Sequence, residues 1–117
     1  MLPGRRVPGD PSPLAVTTSR RRGDVLVLTA VGEIDAATVG RFRTELSGAC
    51  VSGKRVILDL SEVGFLSCAG LHALEEANAA SARFSVIAKT TLVLRILDVS
   101  GVGAGLDVRR DVEEVLS

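Results

Sequence analysis

The side chains best suited to act as a nucleophile or a base lie in one short stretch, where Ser67 and Cys68 precede His72. A helix would place the Cys68 thiol and the His72 imidazole on one face, since they are four residues apart. A thiol enzyme needs such a base, and His72 is the only histidine in the sequence. No Ser–His–Asp pattern accompanies it. The sequence therefore favours a surface role for His72 and predicts that the protein is not an enzyme.

Metal, cofactor and paired-carboxylate chemistry are also disfavoured. The two cysteines, Cys50 and Cys68, lack the spacing of a zinc site. Glu75 and Glu76 are adjacent, so on a helix they point in different directions and cannot form an acid/base pair. The glycines of residues 101–105 follow a predicted helix instead of opening one, which excludes a dinucleotide-binding turn. We expect no metal and no cofactor.

Composition places the chain among single-domain globular proteins. Its 117 residues are 46% hydrophobic and 24% charged, enough for one buried core. The only aromatic residues are three phenylalanines. The core must therefore be aliphatic, and a stacking platform for single-stranded nucleic acid is absent.

The formal net charge of zero hides an uneven distribution. Residues 1–23 carry five arginines against one aspartate, whereas the rest of the chain carries nine basic and thirteen acidic residues. An acidic body argues against direct nucleic-acid binding, which needs a basic face. No apolar run is long enough to span a membrane and no signal peptide is evident. We expect a cytoplasmic protein with free thiols.

The order of elements predicts a small α/β domain. Residues 1–13 hold all four prolines and predict a flexible tail before a domain at residues 14–117. Strands are expected at residues 14–19, 25–31, 55–60, 84–88 and 106–108, and helices at 36–50, about 67–81, 90–97 and 112–116. This alternation predicts a small mixed β-sheet of four to five strands with helices in crossover connections.

Two connections should meet at one edge of this sheet. A turn at residues 32–35 (GEID) follows the first central strand, and Asp35 is expected to cap the next helix. A loop at residues 61–66 follows the second central strand and leads into Ser67 and Cys68. Because the carboxyl ends of parallel strands share an edge, we expect Asp35, Ser67 and Cys68 to form one surface.

These segments resemble the STAS domain of anti-sigma factor antagonists, over about residues 14–116. GEID at residues 32–35 resembles the family's G-E-hydrophobic-D, and VILDLSEV at 56–63 resembles its strand ending in D-L-S-x-V. FLSCAGL at 65–71 is similar to F-hydrophobic-D-S-S/A-G-L, and LDVSG at 97–101 is similar to the end of a late helix. The resemblance implies the STAS fold and a protein-binding role without enzymatic activity.

The resemblance also implies a partner. Family members bind an anti-sigma factor that is a serine kinase with a histidine-kinase-like ATPase fold, and so free a sigma factor for transcription. In this chain the implied partner-binding residues are Glu33, Asp35, Ser67, Cys68, Ala69, Gly70 and Leu71. The alternative is a STAS subunit of a lipid-transport or stress-signalling complex, and the sequence leaves open whether the chain forms a homodimer.

One departure from the family concerns regulation. The kinase phosphorylates a Ser or Thr at the start of the helix, adding a charge of about −1.5 to −2 that releases the partner. The resemblance puts Cys68 on that acceptor position, Ser67 on the usual Asp and Ala69 after the acceptor. Either the protein binds constitutively, or Ser67 takes the phosphate, or Cys68 is a redox switch whose thiolate the helix dipole stabilises. The plainer alternative is that Cys68 is a small, partly buried thiol. An internal Cys50–Cys68 disulfide is not expected, because the two should lie at opposite ends of a strand.

Overall fold

A five-stranded sheet organises the described part of the chain, residues 14–116 of a computed structural model. The strands lie side by side in chain order: β1 (Ala15–Arg21), β2 (Val25–Ile34), β3 (Arg55–Leu66), β4 (Phe84–Ile87) and β5 (Asp107–Arg109). β1 is antiparallel to β2, and the other neighbours are parallel. The predicted α/β fold with a mixed sheet is confirmed. The predicted tail at residues 1–13 lies outside the described residues.

In the described residues, four helices and one 3₁₀ turn connect and cover the strands. They are α1 (Val39–Cys50), α2 (Cys68–Ala80), α3 (Thr91–Ser100), the 3₁₀ turn (Val102–Gly105) and α4 (Val112–Leu116). Within residues 14–116, no helix is long and apolar enough to cross a membrane. In the same residues, no group of three or more His, Cys, Asp or Glu side chains could hold a metal ion.

The main core lies on the sheet face covered by α1, α2 and α3, which we call the helix face. Phe42 and Leu46 of α1 and Leu71 and Leu74 of α2 pack there with residues of all the central strands. In each of these two helices the buried side chains are three or four residues apart and face the sheet, as a 3.6-residue period requires. Aliphatic side chains make up nearly all of this core, as the composition indicates.

A smaller core lies on the opposite face, which we call the α4 face. Val115 of α4 covers Val25, Val27, Ile57 and Ile87 of the three central strands. With five residues, α4 covers only one part of this face. The two faces are therefore buried to very different extents.

β2 and β3 are longer than the sequence indicated. The turn expected at residues 32–35 and the loop expected at 61–66 are wrong, since pairing continues to Ile34 and Leu66. Two bulges make this possible: between Thr29 and Glu33, β3 contributes one extra residue at each of two register shifts. Gly32 has φ 123°, a backbone angle that strongly favours glycine. β4 pairs with β3 only up to Asp59, and β1 pairs with β2 only up to Val31. Residues 31–34 and 62–66 therefore extend beyond β4, and past Val31 they are two-stranded; these two segments are called here the β2–β3 extension.

Candidate partner-binding site

A backbone hydrogen bond ties together the two segments that the sequence singled out. The Ser67 N–H donates to the Ile34 carbonyl oxygen over 2.9 Å. Ile34 ends β2 and is followed by Asp35, whereas Ser67 lies between β3 and α2. The tip of the β2–β3 extension therefore brings Asp35 and the start of α2 together, as the parallel topology led us to expect.

Asp35 organises a turn before α1. Its Oδ1 accepts hydrogen bonds from the backbone N–H groups of Ala37 (2.9 Å) and Thr38 (3.1 Å). The helix begins at Val39 and not at residue 36, so the expectation that Asp35 is its N-cap is wrong. The residues after Asp35 form a turn because its carboxylate and its carbonyl both bond forward to N–H groups there.

Thr38 fixes this turn from beneath. It is 2% exposed. Its hydroxyl accepts a hydrogen bond from the Asp35 N–H (2.9 Å) and lies 2.8 Å from the Glu33 carbonyl oxygen, to which it donates. Within residues 14–116, Asp35 Oδ2 makes no hydrogen bond. The carboxylate is thus held in place by one oxygen, and the other is left without a hydrogen-bond partner among the described residues.

The start of α2 presents a thiol beside this carboxylate turn. Ser67 is the N-cap, and its Oγ accepts a hydrogen bond from the Gly70 N–H over 3.2 Å. Cys68 is the first residue of the helix and is exposed, while Ala69 is half-buried. The Ser67 hydroxyl is therefore occupied in capping, whereas the Cys68 thiol faces solvent.

Both cysteines are free, in keeping with the expectation that they form no internal disulfide. Cys50 is buried at the end of α1, and burial raises the pKa of its thiol. Its thiol therefore stays protonated and inert at neutral pH. Of the two, only Cys68 is accessible to a partner or a reagent.

Two residues that the sequence assigned to partner binding lie in the interior. A Cβ on Gly70 would stand 2.6 Å from Leu66 Cδ1 and 2.9 Å from Ile34 Cγ2. Leu71 is 5% exposed and belongs to the main core. Both residues therefore support the site from below: Gly70 lets α2 approach the extension closely, and Leu71 anchors the helix to the sheet.

Sequence reasoning missed Phe65 as a surface residue. It is 43% exposed, and it pairs with Glu33 across the extension. Strict alternation from the buried Val63 would have turned Phe65 inward. Gly64 is unpaired between them, so Phe65 faces outward instead. The GEID and FLSCAGL segments thus meet in a surface containing carboxylate, thiol and aromatic groups.

A model of the STAS domain matches residues 17–115. The chain belongs to the STAS domain family. An anti-sigma factor antagonist from Mycobacterium paratuberculosis has a similar structure, with a TM-score of 0.84 and 21% identity over 91% of this chain and 93% of that chain. The anti-sigma factor antagonist SpoIIAA in its unphosphorylated form has a TM-score of 0.68 and 20% identity, covering 87% of this chain and 93% of its own.

The phosphorylated form of SpoIIAA, a Bacillus cell fate determinant, also has this fold. Its TM-score is 0.65 at 18% identity, over 87% of this chain and 96% of that chain. No curated protein sequence matches the chain significantly. At these identities the likenesses establish the STAS fold, and the surface residues of this STAS domain must be argued from its own geometry.

Proposed function

We propose that this STAS domain is an anti-sigma factor antagonist, which binds an anti-sigma factor and so frees a sigma factor for transcription. The observation that carries the proposal is the exposed surface at the tip of the β2–β3 extension. There the Ser67 N–H to Ile34 O bond holds the Asp35 turn beside the exposed Cys68. Two proteins of similar structure are anti-sigma factor antagonists, which supports this role.

The proposed partner is a serine-kinase-type anti-sigma factor with a histidine-kinase-like ATPase fold. Binding is proposed to take place in the cytoplasm. Its docking residues are Glu33, Asp35, Ser67, Cys68 and Ala69. Asp35 supplies a carboxylate oxygen that makes no hydrogen bond within residues 14–116, and the start of α2 supplies the exposed Cys68. In this role the domain binds a protein and performs no chemistry of its own.

In the simplest form of the proposal, phosphorylation of the domain does not regulate its binding to the anti-sigma factor. A serine kinase needs a hydroxyl, and Cys68 supplies a thiol where the family resemblance puts the acceptor. Ser67 is a poor substitute, because its Oγ is engaged with the Gly70 N–H and its side chain is half-buried. The domain is therefore proposed to bind its partner constitutively, with oxidation of the exposed Cys68 thiol as the rival form of regulation.

Binding to purified serine-kinase-type anti-sigma factors with ATP, followed by intact-mass analysis, tests this proposal. The wild-type domain is expected to bind and to gain no phosphate. Cys68→Ser is expected to gain one phosphate and then to release the partner, because a charge of about −1.5 to −2 enters the interface. Ser67→Asp with Cys68→Ser is the matched variant, since it keeps a capping oxygen at position 67 and offers one acceptor only.

Other outcomes separate the alternatives. A phosphate mapped to Ser67 of the wild-type protein would place the switch one residue earlier. If oxidant released the anti-sigma factor from the wild-type domain but not from the Cys68→Ala variant, control by the Cys68 thiol would be established. Failure of the wild-type domain to bind any such kinase would overturn the proposal, and co-purification with a membrane transporter would favour the lipid-transport alternative.

A further inference from the structure

The outer side of the β2–β3 extension carries four exposed side chains that the fold does not use. Val31 and Glu33 of β2 lie opposite Glu62 and Phe65 of β3, in the pairs Val31–Glu62 and Glu33–Phe65. Val31 is 39% and Phe65 43% exposed, and both glutamates are exposed. We call these four residues the outer patch.

The inner side of the same segment contrasts with it. Ala30, Ile34, Val63 and Leu66 are all at most 2% exposed and belong to the main core. On the outer side, α4 covers residues only as far as Ile57 and Ile87, and the outer patch lies beyond them. Two large apolar side chains, Val31 and Phe65, thus remain partly in solvent on the β2–β3 extension. Exposed apolar groups rimmed by polar ones are typical of interaction sites.

The two glutamates of the outer patch form no ion pair with the described residues. Within residues 14–116 the ion pairs are Arg43–Glu76, Lys54–Asp24 and Arg109–Asp107, and none lies on the extension. Glu33 and Glu62 therefore have no cationic partner there, and Asp35 follows at the tip. A positively charged surface is the complement of such a patch.

We infer that the outer patch is a docking surface for a protein partner that offers an apolar pocket to Phe65, with lysine or arginine side chains around it. The inference rests on the proposed function and specifies the chemistry of the partner at that site. Continuity supports it, because Glu33 of the outer patch and Asp35 of the tip are separated by one residue. Aromatic anchors dominate interface energies, whereas charges at the rim mainly guide association.

A second copy of this chain is a poor occupant. A two-fold dimer through the outer patch would set the glutamates of one copy against those of the other. Like charges placed opposite each other oppose docking. The charge pattern thus favours a different protein with a basic surface.

Binding titrations with a purified serine-kinase-type anti-sigma factor test the inference, using two variants and two matched controls. Phe65→Ser is expected to weaken binding by about 30-fold or more, the effect of losing an anchor residue. Val99→Ser removes an apolar side chain that is 79% exposed on α3 and is expected to change nothing. All variants should remain folded at the temperature of the titrations, which thermal unfolding checks.

The electrostatic part is tested with Glu33→Lys combined with Glu62→Lys. Binding of the wild-type domain should weaken as salt rises, because opposite charges attract across the interface. The double variant should bind weakly at low salt and lose or reverse this salt dependence. Glu45→Lys with Glu113→Lys makes the same change of charge on α1 and α4, and should keep the wild-type salt dependence.

The possible failures are distinguishable. If the wild-type domain binds but the Phe65 and glutamate variants bind equally well, the inference is overturned and the proposed function stands. If the wild-type domain binds no such anti-sigma factor, the proposed function fails, and the inferred partner with it. A wild-type homodimer that dissociates on Phe65→Ser would show that the patch binds a second copy, which also overturns the inference.

Discussion

The helix face and the outer patch are built partly from the same two strands, yet the side chains of one are buried in the core and those of the other are exposed. Neighbouring residues in β2, Ile34 and Glu33, are respectively fully buried and exposed. In β3 the same holds for Leu66, which is 2% exposed, and Phe65, which is 43% exposed. Side chains that alternate along one strand therefore divide between stabilising the fold and contacting a partner. Substitutions on the two sides should consequently affect different measurements.

The largest expected difference is between two phenylalanines. Phe42 is fully buried beneath α1, so Phe42→Ala should lower the free energy of unfolding by about 3–5 kcal/mol through lost transfer energy and an unfilled cavity. Phe65→Ala should cost about 1 kcal/mol or less, because much of its ring already contacts water. Urea unfolding of both variants checks this. Equal losses would show that Phe65 is a core residue and would remove the comparison.

The contrast between these phenylalanines also shows what the sequence could predict. The sequence pattern predicted the helix that carries Phe42, and the alternation of strands and helices predicted the α/β fold. The orientation of Phe65 could not be obtained in this way, because it depends on the unpaired Gly64. A bulge shifts the alternation by one residue and leaves no clear mark in a single sequence.

A second, smaller difference should separate two glycines. A Cβ at Gly70 would overlap Leu66 and Ile34, so Gly70→Ala should destabilise by about 1–3 kcal/mol as α2 is pushed from the extension. Gly48 lies within α1, and its Cβ would meet nothing within 4 Å. Gly48→Ala should therefore stabilise the helix by about 0.5–1 kcal/mol. Thermal unfolding of the Gly70→Ala and Gly48→Ala variants measures this difference. If Gly70→Ala left the stability unchanged, the extension would be able to shift and accommodate the added methyl group.

The same residues show how far the site could be anticipated. Parallel topology alone brought Asp35 and Ser67 to one edge, and the Ser67 N–H to Ile34 O bond now links their segments. Motif letters could not separate exposed from buried positions, so Gly70 and Leu71 were grouped with Cys68. Asp35 lies one turn too early to be the N-cap: its Oδ1 does accept hydrogen bonds from the Ala37 and Thr38 N–H groups, but these residues form a turn and the helix begins only at Val39.

The smallest expected effect lies on the α4 face, where polar contacts supplement a thin apolar cover. Asp107 accepts hydrogen bonds from Ser85 Oγ (2.6 Å) and Arg109 Nε (2.7 Å). These hydrogen bonds lower the pKa of Asp107 below its ordinary value of 3.8, and the bond from Ser85 has the larger effect. A lowered folded-state pKa gives stability that is present above the ordinary value and is lost as pH falls through the folded one.

The free energy of unfolding should therefore fall more steeply in the wild-type protein than in Asp107→Asn as the pH drops below about 4. The Asp107 side chain is 40% exposed, so solvent screening keeps this difference below those expected at Phe42 and Gly70. Denaturant unfolding at several pH values measures it, with Asp98→Asn on α3 as the control for an exposed carboxylate. Parallel pH profiles for wild type and Asp107→Asn would mean that this contact contributes nothing, and that α4 and its apolar residues alone hold the thinner face.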